Sequence, residues 1–477
     1  MPVSLIVFSR RPACVVSMAV FICVVLLTSV HANGQEADIP TPMRRLGRDV
    51  PVYVPLPGDP ERREAPPIPR PTGPVTLPDA EALALLHNPG LAAFAWETRA
   101  REVRILQAGR PPNPTLSLLA EDIGASRRIG HTADPFVEPQ ATIQISQVIE
   151  LGGKRAARRH LATRDRDLAV WDYESARVDV LTAVNRAFID VLADQEAVAL
   201  SEETTHLVEQ VHQSVGARVA AGVVSPIEET RASVALAAVR VESMRARRAL
   251  EASRTRLSLL WGSATPVFRA AIGNLDAEPA PLPPLGDLMV RIEQGPELAR
   301  WVAELSQREA AVELERSRRI PDVSLVAGYR RLTGVGSHAF VVGASMPLPW
   351  FDRNRDGVEE ARSRLARAHE ERRAVQTRVA ATLADAYAAL ASAHDEVNVL
   401  RSAVLPGSQE TFEALSEGYR LGRFGYVDVL EAQRTLIGAR NQYLRALAAY
   451  HTAVADVERL TATPLAGSTN LQTTARK

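Results

Sequence analysis

The sequence predicts a mainly helical protein with a small β part, built as two copies of one half. Three observations carry this prediction. The first is an internal repeat. Gly222 in Ala221-Gly222-Val223 and Gly422 in Leu421-Gly422-Arg423 lie 200 residues apart, and Leu151-Gly152-Gly153-Lys154 falls on Phe351-Asp352-Arg353-Asn354 at the same offset, as Trp261-Gly262 does on Thr461-Ala462. Upstream, Pro89 matches Pro296, and Pro114-Thr115-Leu116-Ser117-Leu118 matches Pro321-Asp322-Val323-Ser324-Leu325, both at 207, so the first copy carries an extra stretch between about 124 and 139. A period this long marks a duplicated half-protein rather than a solenoid unit. The second observation is helix length, and the third is one pair of alternating segments in each half.

Taken in order, the chain opens with Arg10-Arg11 before an uncharged, mostly apolar stretch from Pro12 to Val30, and Val30-His31-Ala32 places small residues at −3 and −1. This reads as a secretory signal over 1–32; a membrane anchor is the rival reading, since the stretch is almost long enough to span. Both cysteines, Cys14 and Cys23, lie inside it, so the mature chain is expected to hold no disulfide and no cysteine-based metal site. Residues 33–78 form a leader crowded with proline and charge, without the apolar content for a core. A first repeat follows over 79–265, then a connection over 266–290, a second repeat over 291–462 and a tail over 463–477.

Each repeat begins with short helices. One opens at Asp79, and a second runs from Leu91 to Ala108, ended by Gly109 and the Pro111-Pro112-Asn113-Pro114 cluster. Strands are predicted at about 115–122 and 141–149, where Ile143, Ile145 and Ile149 alternate with Thr142, Gln144 and Ser146, and again at about 322–331 and 338–347. One greasy and one polar face suits a membrane barrel wall and equally any half-buried sheet. The remainder is helix. Lys154 to Val219 contains no proline and one glycine, Gly216, which at 1.5 Å per residue is on the order of 100 Å of helix. Helices are expected over about 154–220, 226–261, 355–421 (interrupted at Pro406-Gly407) and 427–461. Helices this long with short connectors imply coiled-coil packing.

Apart from residues 12–30, no segment is apolar enough for a membrane helix. Any crossing therefore uses strands. Two strands per half give four per chain, too few to close a barrel, and an open edge in lipid strands backbone amides. Three chains would supply 12 strands, within the range of closed barrels, and would pool their helices into a tube of about 100 Å.

The run Ile145-Ser146-Gln147-Val148-Ile149-Glu150-Leu151-Gly152-Gly153-Lys154-Arg155 resembles the strand-to-helix junction of the TolC family of outer-membrane efflux ducts. Within that family it resembles the subgroup typified by CzcC, which serves heavy-metal pumps of the resistance–nodulation–division type. Met346-Pro347-Leu348-Pro349-Trp350-Phe351-Asp352-Arg353-Asn354-Arg355 resembles the matching junction of the second half. The resemblance implies a homotrimer with a 12-stranded β-barrel in outer-membrane lipid, a coiled-coil α-barrel in the periplasm and a small mixed equatorial region. It also implies two partners, a periplasmic adaptor (membrane fusion protein) and an inner-membrane pump, with heavy-metal cations as the expected cargo.

Function should concentrate at the two glycine turns. Gly222 and Gly422 suit the left-handed position that ends a helix, and Ser225-Pro226-Ile227-Glu228 reads as a capping box. In the resemblance these turns dock the adaptor, which implicates Ala221, Gly222, Val223, Leu421, Gly422 and Arg423. Asp428 and Glu431 share a helix face at i and i+3. Their plain roles are to complement a helix N-terminus and to sit in solvent; the resemblance instead makes them an acidic ring at the gate. It further suggests a latch of Tyr419 with Glu228 and Arg423, although the family's basic latch residue falls on Phe424 here.

With a formal net charge of zero the chain has no electrostatic footprint for nucleic acid. No phosphate loop, nucleophile elbow or His-Glu-x-x-His motif occurs, and the histidines lack i,i+4 ligand spacing. No enzyme activity, cofactor or bound metal is expected. Two other readings stay open: a TolC-like duct for drugs or secreted polypeptides, and a periplasmic coiled-coil adaptor or scaffold.

Overall fold

The computed structural model describes residues 46, 51, 53–54, 71–121, 128–129, 132–133, 139–277, 279–332 and 337–465. The expected signal with both cysteines, most of the leader and the end of the tail lie outside these residues. In chain order the elements are β1 (Val75–Thr76), α1 (Leu77–His87), α2 (Pro89–Ala108), β2 (Thr115–Glu121), β3 (Arg128–Ile129), β4 (Thr132–Ala133), β5 (Gln140–Ile149), α3 (Lys154–Ala220) and α4 (Pro226–Leu259). There follow β6 (Ala271–Ile272), α5 (Leu285–Ile292), α6 (Pro296–Ser317), β7 (Val323–Leu332), β8 (Ser337–Ser345), α7 (Arg355–Val399), a π turn (Leu400–Val404), α8 (Leu405–Arg420) and α9 (Tyr426–Thr461).

Capping chemistry sets the short helices. Thr76 N–H donates to Asp79 Oδ2 at 3.1 Å while Asp79 N–H donates to Thr76 Oγ1 at 3.4 Å. Asp79 is thus the third residue of α1, not its start. Asn88 Oδ1 accepts from Leu91 N–H at 2.9 Å, and its amide donates to Leu260 O at 2.8 Å. That side chain starts α2 two residues earlier than expected and ties it to the end of α4.

The sheet is antiparallel in the order β2-β5-β7-β8. Its register sorts side chains by face. Leu118, Ile143, Tyr329 and Phe340 form one cross-strand row, and Leu116, Ile145, Ala327 and Val342 a second on the same face. Most of these side chains are exposed. The opposite face carries Ser117, Gln144, Thr142 and Arg330, whose Nε donates to Thr142 Oγ1 at 3.0 Å. Among the described residues both outer strands, β2 and β8, present unpaired edges. The extra stretch of the first copy falls in the β2–β5 connection, where β3 and β4 pair as a ribbon.

A clasp joins the sheet of the second half to the strand-to-helix junction of the first. Asp322 Oδ1 accepts from Lys154 Nζ at 2.7 Å and from Leu151 N–H at 3.0 Å, and Glu150 pairs with Arg158. Gly152 turns there at φ +70°, so close to Ile320 that an added Cβ would lie 2.8 Å from the Ile320 Cβ.

Below the sheet, α3 is packed heavily over Ala162–Leu192, among α1, α2, α6 and α9. A mixed equatorial region forms at this level: β1 pairs with β6 in parallel, and Phe188, Trp261 and Phe268 fill the adjoining core. Beyond Leu192 the buried residues of α3 thin to Thr204, Val208 and Val215, the spacing of a two-helix seam. The predicted break at Pro406-Gly407 is absent. Proline has no N–H to return to Ser402 O, and the chain answers with a π turn in which Leu405 N–H reaches back to Leu400 O, keeping the helix continuous. Among the described residues no helix is long and apolar enough to cross a membrane.

Candidate tip and gate

The two turns are built alike. At the first, Gly222 at φ +71° donates its N–H to Val219 O at 2.9 Å, and Val223 N–H reaches Arg218 O at 2.9 Å. At the second, Gly422 at φ +73° donates to Tyr419 O at 3.0 Å, and Arg423 N–H reaches Gly418 O at 2.8 Å. Each pair is a Schellman motif, which satisfies the last carbonyls of α3 and α8. An added Cβ at either glycine would meet nothing within 4 Å, so the left-handed φ alone calls for glycine. Ala221, Gly222, Val223, Leu421, Gly422 and Arg423 are all exposed on these turns.

The helices that leave the turns are capped differently. Ser225 Oγ accepts from Ile227 N–H at 3.4 Å, but Glu228 does not complete the expected box. At α9 the capping residue, Gly425, has no side chain, and Asp428 Oδ2 accepts its N–H at 2.9 Å. Asp428 thus fulfils the plain role of complementing a helix N-terminus, while its Oδ1 and the Glu431 carboxylate stay on an exposed face.

The two tips meet through Arg218. Its guanidinium lies 4.4 Å over the Tyr419 ring, and its Nη1 donates to Tyr419 O at 3.4 Å. Tyr419, Tyr426, Phe412, Val215 and Val429 share one apolar cluster. The expected Tyr419–Glu228 hydrogen bond is not formed: Tyr419 Oη and Glu228 Oε2 are both buried without a hydrogen-bond partner. Burial, with Tyr419 close by, pushes the Tyr426 hydroxyl above its ordinary range. Arg423 contributes its backbone N–H to the turn.

A groove of about 720 Å³ runs beside this cluster, lined by Val404, Gly407, Thr411, Leu415, Phe424, Asp428 and Glu431 among others. It brings the two predicted acids together with Phe424. The Phe424 ring lies over Gly418, where an added Cβ would come within 2.2 Å of it. Neither the groove nor the Arg218–Tyr419 stack is predicted from sequence. Gly418, a glycine near the end of a long helix, was the available signal for the Phe424 seat. Among the described residues no group of three or more His, Cys, Asp or Glu side chains could hold a metal.

Residues 82–263 and 291–463 match the family described as outer membrane efflux protein. The chain is 38% identical over 389 residues, 81% of this chain and 90% of the relative, to the cobalt-zinc-cadmium resistance protein CzcC of Cupriavidus metallidurans. It is 29% identical, over 60% of this chain and 63% of the relative, to the nickel-cobalt-cadmium resistance protein NccC of Alcaligenes xylosoxydans xylosoxydans. Among solved structures, CusC overlays with a TM-score of 0.68 at 16% identity, over 84% of this chain and 99% of that one. A membrane protein from Pseudomonas aeruginosa overlays with a TM-score of 0.68 at 20% identity, over 83% and 99%. These overlays share the fold.

Proposed function

The chain belongs to the outer membrane efflux protein family, and on that premise we propose that it is the exit duct of a tripartite system expelling divalent metal cations. The observation that carries the duct is the sheet: an exposed apolar face with two unpaired edges is viable in lipid only when other copies complete a closed barrel. Three copies make 12 strands, and the helices below extend the passage through the periplasm. The duct is passive. The cargo reading rests on the likeness to CzcC, and cobalt, zinc and cadmium are the first candidates.

At the tip, Asp428 and Glu431 from three copies make six carboxylates around one axis, a ring that favours cations. Capping uses one oxygen of Asp428 and leaves the other for the passage. Tyr419, Glu228 and Arg423 form the latch: the resting tip joins the two buried, partnerless oxygens of Tyr419 and Glu228, and opening parts them. The exposed turns at Ala221, Gly222, Val223, Leu421, Gly422 and Arg423 receive the periplasmic adaptor, behind which stands a pump of the resistance–nodulation–division type. The domain limits that go with this reading are 79–265 and 291–462 for the repeats, joined through 266–290.

The test is growth of a deletion strain on a panel of metals and organic toxicants. Selective sensitivity to cobalt, zinc or cadmium, restored by the intact gene, is the expected outcome. Sensitivity confined to drugs or detergents removes the metal cargo and leaves the channel. For the ring, Asp428→Ala with Glu431→Ala should lower the cation selectivity of single pores in planar bilayers; unchanged selectivity removes these residues from the passage.

A further inference from the structure

Two neighbouring arginines near the far end of β7 stand on opposite faces of the sheet, and only one of them is neutralised. Arg330 is on the polar face. Its Nε donates to Thr142 Oγ1 at 3.0 Å, and its Nη2 lies 3.9 Å from Glu121 Oε2. Arg331 is on the apolar face, is exposed, and pairs with no acid among the described residues.

The register shows what surrounds Arg331. Beyond the row of Leu118, Ile143, Tyr329 and Phe340 comes a row of Ala120, Ala141, Arg331 and His338, all exposed. Arg331 and His338 are directly opposite each other, which sets their Cβ atoms about 5 Å apart. Tyr329 Oη meets His338 Nδ1, and the two rings stack with centroids 5.5 Å apart, while Phe340 lies edge-on to Tyr329 at 6.1 Å. With the hydroxyl donating to Nδ1, the ring proton sits on Nε2 and is left to donate outward. The short side chains of Ala120 and Ala141 leave room beside the guanidinium. The row therefore offers donors and no free acceptor.

Its level says what it meets. Tyr329 and Phe340 belong to the last row with large apolar side chains, and Phe340 is 88% exposed. Exposed Trp350 and Phe351 follow the other end of β8. Aromatic residues at both ends of an apolar face are the girdles of a barrel wall. Arg331 and His338 stand two residues beyond the upper girdle, about 7 Å along the strand, within a headgroup layer about 5–8 Å deep. Helices α6 and α7 join the opposite ends of β7 and β8. This row thus faces the leaflet away from the periplasmic helices, the one built of lipopolysaccharide. A guanidinium without an acid at that depth is matched to phosphate, which its fork of N–H groups fits.

We propose that Arg331 and His338 bind a phosphate of lipid A from the lipid side of the barrel and hold one lipopolysaccharide against each protomer. The proposal rests on the reading of the sheet as a barrel wall and adds a ligand to its outer surface. The phosphate accepts from the Arg331 fork and from His338 Nε2. The acyl chains descend along Phe340 and Val342, the latter 82% exposed.

The test is native mass spectrometry of the full-length protein, purified from outer membranes as the intact assembly. It is titrated with bisphosphorylated lipid A, with lipid A stripped of phosphate, and with phosphatidylglycerol. Arg331→Gln with His338→Gln should weaken binding of the bisphosphorylated form roughly tenfold, through lost charge-assisted hydrogen bonds, and leave the stripped form unchanged. Arg331→Gln alone keeps the Tyr329–His338 stack, should carry most of the loss, and serves if the double variant fails to assemble. Arg330→Gln, one residue away on the polar face, should change neither. Unchanged affinity in the Arg331 variants, or an equal loss with Arg330→Gln, overturns the site. An equal loss for phosphatidylglycerol overturns lipid A as its occupant. A monomeric mass for the unmodified protein, or its absence from outer-membrane fractions, instead overturns the barrel wall beneath the proposal.

Discussion

The first and second tips share a backbone and differ in almost everything laid on it. Both turn through a left-handed glycine with the same pair of Schellman bonds. The first continues through Val223 and Ser225 into a serine-capped helix. The second continues through Arg423 and Phe424 into a helix capped by Asp428. The same contrast appears at the other end of each half, where Gly152 at φ +70° is repeated by Asp352. Duplication has kept geometry where the backbone allows one solution and changed chemistry where each copy faces different surroundings. A turn needs glycine twice; only one of the two tips needs a carboxylate.

Seven single substitutions probe this contrast, each read as the thermal denaturation midpoint of purified protein at a fixed scan rate, since unfolding of such assemblies is governed by rate. Gly152→Ala should have the largest effect, about 3 kcal/mol, from left-handed strain together with a Cβ forced against Ile320. Asp352→Ala at the repeat position loses only the bond from Asn354 N–H to Asp352 Oδ1, 2.7 Å long, about 1 kcal/mol. Equal losses at the two positions would mean that the junctions are not distinct.

Next is Lys154→Ala, which strands the partly buried Asp322 carboxylate at a cost of about 1–2 kcal/mol. Burial works against that carboxylate, yet the Lys154 ammonium and Leu151 N–H outweigh it and hold its pKa below the ordinary value of 3.8. A depressed acid contributes stability above its unfolded pKa and loses it as pH falls. The difference between wild type and variant should therefore stand at neutral pH and shrink as pH falls below the ordinary value of 3.8. A gap that persists at that acidity would assign Lys154 a packing role instead.

Gly222→Ala and Gly422→Ala should each cost about 1 kcal/mol through left-handed strain alone, and the double variant should show the sum. A markedly larger loss at one site would expose a contact that this structure lacks. The smallest effects are Ser225→Ala, about 0.5–1 kcal/mol as a lost cap, and Asp428→Asn, which keeps an oxygen for the Gly425 N–H and loses only the charge at the helix N-terminus, about 0.3–1 kcal/mol. Only Asp428→Asn should also alter ion selectivity, which separates capping from any part in the passage.

Much of this fold is legible in the sequence because its signals are periodic. Alternation around Ile143 and Ile145 predicts a strand, and a proline-free run from Lys154 predicts one unbroken helix; both are present within a residue or two. Family resemblance singled out Asp428 and Glu431, which the structure places on one groove. What escaped is non-periodic or non-local. Pro406 reads as a break, but a π turn absorbs it, since a helix held by neighbours on one side can gain a residue more cheaply than it can end. Arg218 over Tyr419 joins residues from different halves, and no local pattern announces it. The Tyr419–Glu228 bond was expected at residue types that suit it, yet Tyr419 Oη and Glu228 Oε2 are each buried without a hydrogen-bond partner.

The two unpaired sheet edges also fix an order of events in the protein's making. The helices can close in water within one chain, through the α3–α4 hairpin and through the contacts of α3 with α6 and α9. The sheet cannot finish in a lone chain: β2 and β8 each offer a row of free amides and carbonyls, a template for any strand that meets them. Between synthesis and insertion every copy is therefore at risk of pairing with the wrong strand. Assembly must be faster than aggregation, so the yield of functional channel should fall when the chain is overproduced beyond what the membrane can accept.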